Sequence, residues 1–281
     1  MRVRVGYQIS YEFPQPTPML AILNVHYSRA SDLVRPDTMM TSPATEYRSY
    51  RDGFGNWCNR MVAPAGKFTI SADTLVRDNG ELDELGTAAE QHAIEDLPDD
   101  TLVYLLGSRY CDTDRLISVA WDMFGGLQPG WPVVEAINDY VHNHITFGYQ
   151  WARPTMTAWE AYDEGRGVCR DYAHLGVALC RAMNIPARYC TGYLAFIDIP
   201  TPESPMDFAG WFEVFLGGRW WTVDPRNRVP RAGRILIAQG RDAADVAITT
   251  TFGPNTLTDF QVWTDQLTDD AELTPGWPPV R

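Results

Sequence analysis

A chain of 281 residues that is 45% hydrophobic can bury a full core, with room for one larger domain and a smaller companion. Its formal net charge of −13 disfavours nucleic acid and anionic membrane surfaces as partners, because both call for concentrated positive charge. Much of the acidity lies in 78–95 and 265–272, runs that read as solvated faces keeping the protein soluble.

The first seven residues, Met1-Arg2-Val3-Arg4-Val5-Gly6-Tyr7, alternate like a strand instead of running apolar like a secretion signal. No membrane span is seen, and a cytoplasmic location is expected unless a leader was removed. Cys58, Cys111, Cys169, Cys180 and Cys190, odd in number and irregular in spacing, fit a reducing compartment. There is no zinc-ligand spacing, glycine-rich phosphate loop or Asp-rich calcium loop, so neither metal nor cofactor is expected.

In chain order, Val3, Val5, Tyr7, Ile9, Tyr11 and Phe13 alternate without a break and predict a strand with one face on a core, ended by Pro14, Pro16 and Pro18. A second strand is predicted over Met19 to Tyr27. Tyr47 to Tyr50 and Trp57 to Val62, joined by the turn residues Asp52 to Asn56, read as a hairpin, and Phe68, Ile70 and Ala72 as one more strand. Residues 1–80 therefore predict an antiparallel β-sandwich whose aromatic residues, at strand spacing, serve its core. The acidic stretch 81–111, broken by Pro98, reads as a linker and the first loop of a second domain spanning 112–281.

Helices follow. Asp112 or Thr113 can cap one that runs through Phe124, and Pro132 opens another with Val133, Val134, Ile137, Tyr140, Val141 and His144 on one apolar face. His144 is expected there as a satisfied core residue. Thr157 caps a short helix, Ala158 to Glu164, that delivers the chain to the stretch GRGVCRDYAHLGVALCRAMNIPARYCTGY from Gly165 to Tyr193. After Cys169, the residues Tyr172, Ala173, Gly176, Leu179, Cys180 and Met183 recur at helical spacing until Asn184 and Pro186 stop them. Cys169 thus opens a buried helix, where unpaired N–H groups and the helix dipole favour the thiolate. The bland alternative is a small cysteine packed as a hydrophobe.

Downstream, Trp211 to Leu216, Gly217-Gly218 and Arg219 to Val223 read as a β-hairpin that fixes Asp224 at the end of a rigid strand. Arg226 to Arg234 form a basic loop. Strands at Val246 to Phe252 and Phe260 to Thr264 are expected to complete the second domain's sheet. Arg241 and Asp242 are cleft candidates whose simpler role is structural ion pairing, and Pro275 to Arg281 should be extended.

Three pieces of this stretch are specific together: the Gly-x-Gly-x-Cys turn at Gly165 to Cys169, the Ile185-Pro186-Ala187-Arg188 and Gly192-Tyr193 run, and the strand pair closing on Trp221 to Pro225. With them the chain resembles the transglutaminase-like superfamily, the papain-related group of cysteine acyl-transfer enzymes. The Gly240 to Asp245 run and the β-rich N-terminal region resemble its bacterial branch. The resemblance implies an α+β fold, with a papain-like core of helices packed on an antiparallel sheet after the sandwich. It implies Cys169 as nucleophile, Asp224 as the residue orienting an imidazole base, and a histidine in the pattern Asp-Phe-His-x-Trp.

Here the chain departs from the pattern. It reads Met206-Asp207-Phe208-Ala209-Gly210-Trp211, with alanine where the histidine should stand. His26, His92, His142, His144 and His174 all lie upstream, and His174 sits about 140° round the helix from Cys169, which makes it a packing or surface residue. Ala209 reads as an inactivating substitution or as the mark of a natural pseudo-enzyme, and the intact surroundings of Cys169 and Asp224 favour the first. Papain-like folds place an oxyanion-hole donor just upstream of the nucleophile, which points to Gln150 or Trp151 beside the Cys169 N–H. Gly167 and Trp211 complete the candidates for substrate contact.

In an intact site the imidazole takes the Cys169 proton while Asp224 holds its tautomer, the thiolate attacks an amide carbonyl, and an acyl-thioester follows. Water as second nucleophile makes a hydrolase and an amine a transferase. With no calcium-switch or amine-binding signature, the expectation is hydrolysis of a peptide or small-molecule amide, with this chain inactive for want of its base. Acyl transfer to an amine is the alternative within the same chemistry. A non-catalytic binding or scaffold protein on the same fold is the alternative outside it, and Ala209 supports it.

Overall fold

The computed structural model describes residues 1–197, 199–200 and 205–267, so the expected extension of Pro275 to Arg281 lies outside the described residues. The unbroken N-terminal alternation becomes the twelve-residue strand β1 (Arg2–Phe13), which buries Val3, Val5, Tyr7, Ile9 and Phe13. The strands β2 (Thr17–Ala21), β3 (Met40–Ser42), β4 (Tyr47–Arg51), β5 (Trp57–Ala63) and β6 (Gly66–Arg77) follow. The second strand is shorter than expected: β2 stops at Ala21, and the chain turns through a 3-10 segment at Tyr27–Asp32.

The helical part carries α1 (Ile117–Phe124), α2 (Trp131–His144), β7 (Thr146–Phe147), α3 (Ala158–Glu164), β8 (Arg166–Gly167) and α4 (Cys169–Ala182). It closes with β9 (Ala187–Leu194), β10 (Ala209–Leu216), β11 (Arg219–Val223), β12 (Arg234–Gly240), β13 (Thr249–Thr251) and β14 (Thr256–Leu267). Local signals set several boundaries. Thr157 and Glu160 form a reciprocal capping box at the start of α3, and Gly165 ends it in the left-handed region with φ 62°. Gly217 and Gly218, with φ 58° and 83°, make the tight turn between β10 and β11.

Three antiparallel sheets result, in the orders β14-β1-β6-β3, β13-β2-β5-β4 and β11-β10-β9-β12. The first two form the N-terminal sandwich, and α4 packs on the third, as an α+β fold requires. Gly176 is necessary for that packing, since any β-carbon there would run into the Phe212 ring of β10.

Two sequence expectations are corrected. Strands β13 and β14 do not complete the second domain's sheet: β14 pairs along the whole of β1, from Arg2↔Leu267 to Glu12↔Thr256, and β13 pairs with β2. The division at 112–281 is therefore broken by a chain end that returns to the sandwich. The cause is the free edge of a long buried strand, because β1 is otherwise paired only with β6. Residues 81–111 are also more than a linker. Asp83 accepts from Arg234 and from the Arg231 N–H, and Gly86 is wedged between the rings of Trp131 and Trp221.

Candidate active site

The Gly165-Arg166-Gly167 segment is held by a two-residue parallel pairing of β7 with β8, Thr146↔Arg166 and Phe147↔Gly167. This pairing sets the chain entering α4 beside the segment that follows α2. Asp171 then caps α4 by accepting from the Val168 N–H at 2.9 Å, and it is itself bound by Arg170. Gly167 lies so close to Asp171 that a β-carbon would stand 2.7 Å from that side chain, so the turn needs glycine for space. Cys169 occupies the first position of the helix and is partly buried.

Opposite it, β10 begins. Ala209 and Gly210 line one cavity of about 190 Å³ together with Cys169, Phe147, Tyr149, Phe196, Asp207, Arg226 and Arg231. Gly210 lets strand and helix close together, because a β-carbon there would lie 2.7 Å from the Tyr189 hydroxyl and 3.4 Å from the Arg170 nitrogen. Position 209 and the thiol thus line the same cavity.

The expectation of a depressed thiol pKa is corrected. Burial pushes the Cys169 thiol up to about 11, and the carboxylates of Asp207, Asp224 and Asp171 act in the same sense against a hydrogen bond from the Gly210 N–H. The dipole end that should favour a thiolate is already occupied by Asp171, and position 209 carries no imidazolium to offset burial.

Asp224 directly follows β11 and is buried, but it lines a different cavity, of about 250 Å³, from the one that Cys169 lines. Its Oδ1 accepts from the Asn227 N–H at 3.1 Å, and its Oδ2 accepts from Asn227 Nδ2 at 2.8 Å and Arg234 Nη2 at 3.0 Å. Arg234 bridges Asp224 to Asp83 and lies over the Trp211 ring, 4.6 Å from its centroid. The carboxylate expected to hold an imidazole is thus held by an arginine and an asparagine.

The proposed oxyanion donors are redistributed. Gln150 is exposed and folded over Gly148, and among the described residues lining the Cys169 cavity it is Tyr149 that stands where Gln150 or Trp151 was expected. The 3-10 turn Tyr149–Trp151 makes this choice, since it swings successive side chains to different sides. Trp211 is buried, and its Nε1 has no hydrogen-bond partner among the described residues. The remaining histidines have structural surroundings. His174 is fully buried, stacks on Tyr110 and accepts from the Ala243 N–H at 3.1 Å, while His144 lies between Tyr140 and Tyr162 with Nε2 2.6 Å from the Tyr162 carbonyl. Arg241 pairs with Asp245, and Asp242 accepts from the N–H groups of Tyr110 and Ala244.

Sequence reasoning missed Tyr149, Asp207, Arg226 and Arg234. Asp207 and Arg226 carried a signal, since each stands two residues from an expected triad position, on either side of the hairpin. Arg234 and Asp83 carried none, because their meeting is set by a separation of 151 residues.

A sequence model of the transglutaminase-like superfamily matches residues 118–225. A solved structure, a candidate cysteine protease from Cytophaga hutchinsonii, is 30% identical with a TM-score of 0.81, covering 99% of this chain and 94% of its own. An uncharacterised protein of Mycobacterium leprae is 37% identical over 95 residues, which is 31% of this chain and 32% of the relative. An uncharacterised protein of Mycobacterium tuberculosis is 29% identical over 233 residues, 74% of this chain and 72% of the relative.

Proposed function

Because the chain belongs to the transglutaminase-like superfamily, we propose that its cleft serves cysteine-dependent amide chemistry, hydrolysis of a peptide or small amide through an acyl-thioester on Cys169. The observation that carries this reading is the shared cavity of Cys169 and position 209, with Asp224 near enough to act on the thiol's ionisation. With histidine at 209, the thiol proton passes to the imidazole as sulfur attacks the carbonyl carbon. The proton then goes to the departing amine as the C–N bond breaks, and water, deprotonated in turn by the imidazole, releases the acid and restores the thiol. The Cys169 N–H at the start of α4 is the oxyanion donor, with the Tyr149 hydroxyl beside it.

Without an imidazole the thiol stays protonated near neutral pH, and the present chain holds its substrate unreacted. Ala209, together with a thiol titrating at about 11, favours a second reading in which the same cleft is a binding site only. The five free cysteines, four of them buried, support a cytoplasmic setting, and no described helix is long and apolar enough to cross a membrane. The deciding experiment is Ala209→His with turnover measured on amides that the Ala209 chain binds. Turnover that appears only in the variant supports the enzyme reading, and binding with no turnover in either supports the second.

A further inference from the structure

The segment after Asp224 carries four arginines, Arg226, Arg228, Arg231 and Arg234, on a chain of net charge −13. Three of them are engaged. Arg228 pairs with Asp139 at 2.7 Å, Arg231 donates to Asn227 Oδ1 at 3.0 Å and the Ala195 carbonyl at 2.9 Å, and Arg234 bridges Asp83 and Asp224. Arg226 is not. Among the described residues no hydrogen bond or ion pair holds its guanidinium, which rests on the face of Phe147 with its central carbon 3.9 Å from the ring centroid.

Arg226 lines the same cavity as Cys169 and Ala209. Stacking fixes the plane of a guanidinium while leaving its five donors open, and that fork fits a carboxylate with two parallel hydrogen bonds. The acidic surface would repel an anion elsewhere, so a local cation beside the nucleophile selects for one. We propose that Arg226 receives a carboxylate of the substrate, so that the cleft takes amides bearing an anionic group close to the scissile carbonyl. This rests on the reading of Cys169 as the nucleophile. The opposing charge in the cavity is Asp207, whose Oδ1 accepts from the Phe208 N–H at 2.7 Å. Asp207 acts against the preference, and burial, which raises its pKa and disfavours its charged form, reduces that opposition.

Two reagents differing only in charge test the site without any substrate being known. Iodoacetate and iodoacetamide both alkylate a thiolate, sulfur forming a bond to the CH₂ carbon as iodide leaves. The ratio of their rates at Cys169 cancels the thiolate fraction, which is common to both. The other four cysteines are buried, and Cys169→Ser supplies the blank. Arg226→Gln is expected to lower the iodoacetate-to-iodoacetamide ratio about tenfold, Arg226→Lys to keep most of it, and Asp207→Asn to raise it. Added salt should shrink the ratio in the parent chain and leave Arg226→Gln nearly unchanged. A ratio that is the same in the parent chain and in folded Arg226→Gln overturns the anion site while leaving Cys169 as a nucleophile. Labelling of Cys169 by neither reagent overturns both, since a cleft closed to them admits no substrate carboxylate. A ratio that falls in Arg226→Gln, on a chain whose Ala209→His form cleaves no amide, keeps the anion site and removes the hydrolase.

Discussion

Restoring histidine at position 209 has its first effect on the ionisation of Cys169. A thiol titrating at about 11 is ionised to only about one part in 10⁴ near pH 7. An imidazolium facing the sulfur offsets the burial and the carboxylates of Asp207 and Asp224 that hold the thiol up. A fall of at least two pKa units is expected, equivalent to about a hundredfold more thiolate near pH 7. The imidazole's second nitrogen needs an acceptor. Asp224 can be that acceptor, since a carboxylate offers about four lone-pair sites and three are in use, two by Asn227 and one by Arg234. The assay is the rate of iodoacetamide alkylation of Cys169 across pH in the parent chain and in Ala209→His, blanked against Cys169→Ser. On a bound amide, the same variant should gain about 10⁴ to 10⁶ in turnover. If the alkylation midpoint stays near 11 in a folded variant, the imidazole does not reach the sulfur and the triad argument is refuted.

Three further outcomes test the surrounding structure. Cys169→Ala should change stability by less than about 1 kcal/mol, whereas Trp221→Ala should cost about 3 kcal/mol, because its ring meets Trp131, lies against Gly86 and donates from Nε1 to the Leu216 carbonyl; thermal unfolding compares them. Arg234→Met should cost about 3–5 kcal/mol by denaturant unfolding, since it strands the buried carboxylate of Asp224 and the largely buried one of Asp83, and a Met variant of parent stability would show that the pair does not depend on it. Burial, with Arg188 and Arg51 nearby, lowers the pKa of His26 to about 4, so the unfolded chain binds a proton that the folded chain refuses between about 6.5 and 4. Stability is therefore lost as pH falls through that window, by about 2–3 kcal/mol, and His26→Gln should flatten that part of the urea-midpoint profile.

The local signals in the sequence were those with local causes. Alternation along Val3 to Phe13 is a property of one strand, and helical spacing from Tyr172 to Met183 a property of one helix. The glycine pair at 217–218 needs no distant partner to make a turn, and the Thr157–Glu160 box closes within four residues. The reading of Cys169 as nucleophile, position 209 as that of the base and Asp224 as the orienting carboxylate came from the resemblance to the transglutaminase-like superfamily, carried by short motifs that are legible in the sequence.

What the tertiary structure alone decided were energies set by long-range neighbours. Helix position by itself argued for a thiolate at Cys169, but desolvation and the carboxylates of Asp207, just before β10, and Asp224, just after β11, reverse the sign, with the nearby Asp171 of α4 adding to them. The edge that β14 covers belongs to a strand more than 240 residues earlier, and no local pattern distinguishes that edge from the edge of the sheet on which α4 packs. In the same way, Asp83 and Asp224 find Arg234 only after the chain between them has folded, and Arg226 is left in the cleft with no hydrogen bond or ion pair to its guanidinium among the described residues. Spacing along a chain records the backbone's local geometry. Charge, burial and strand pairing are sums over space, and they became readable only when the space was filled.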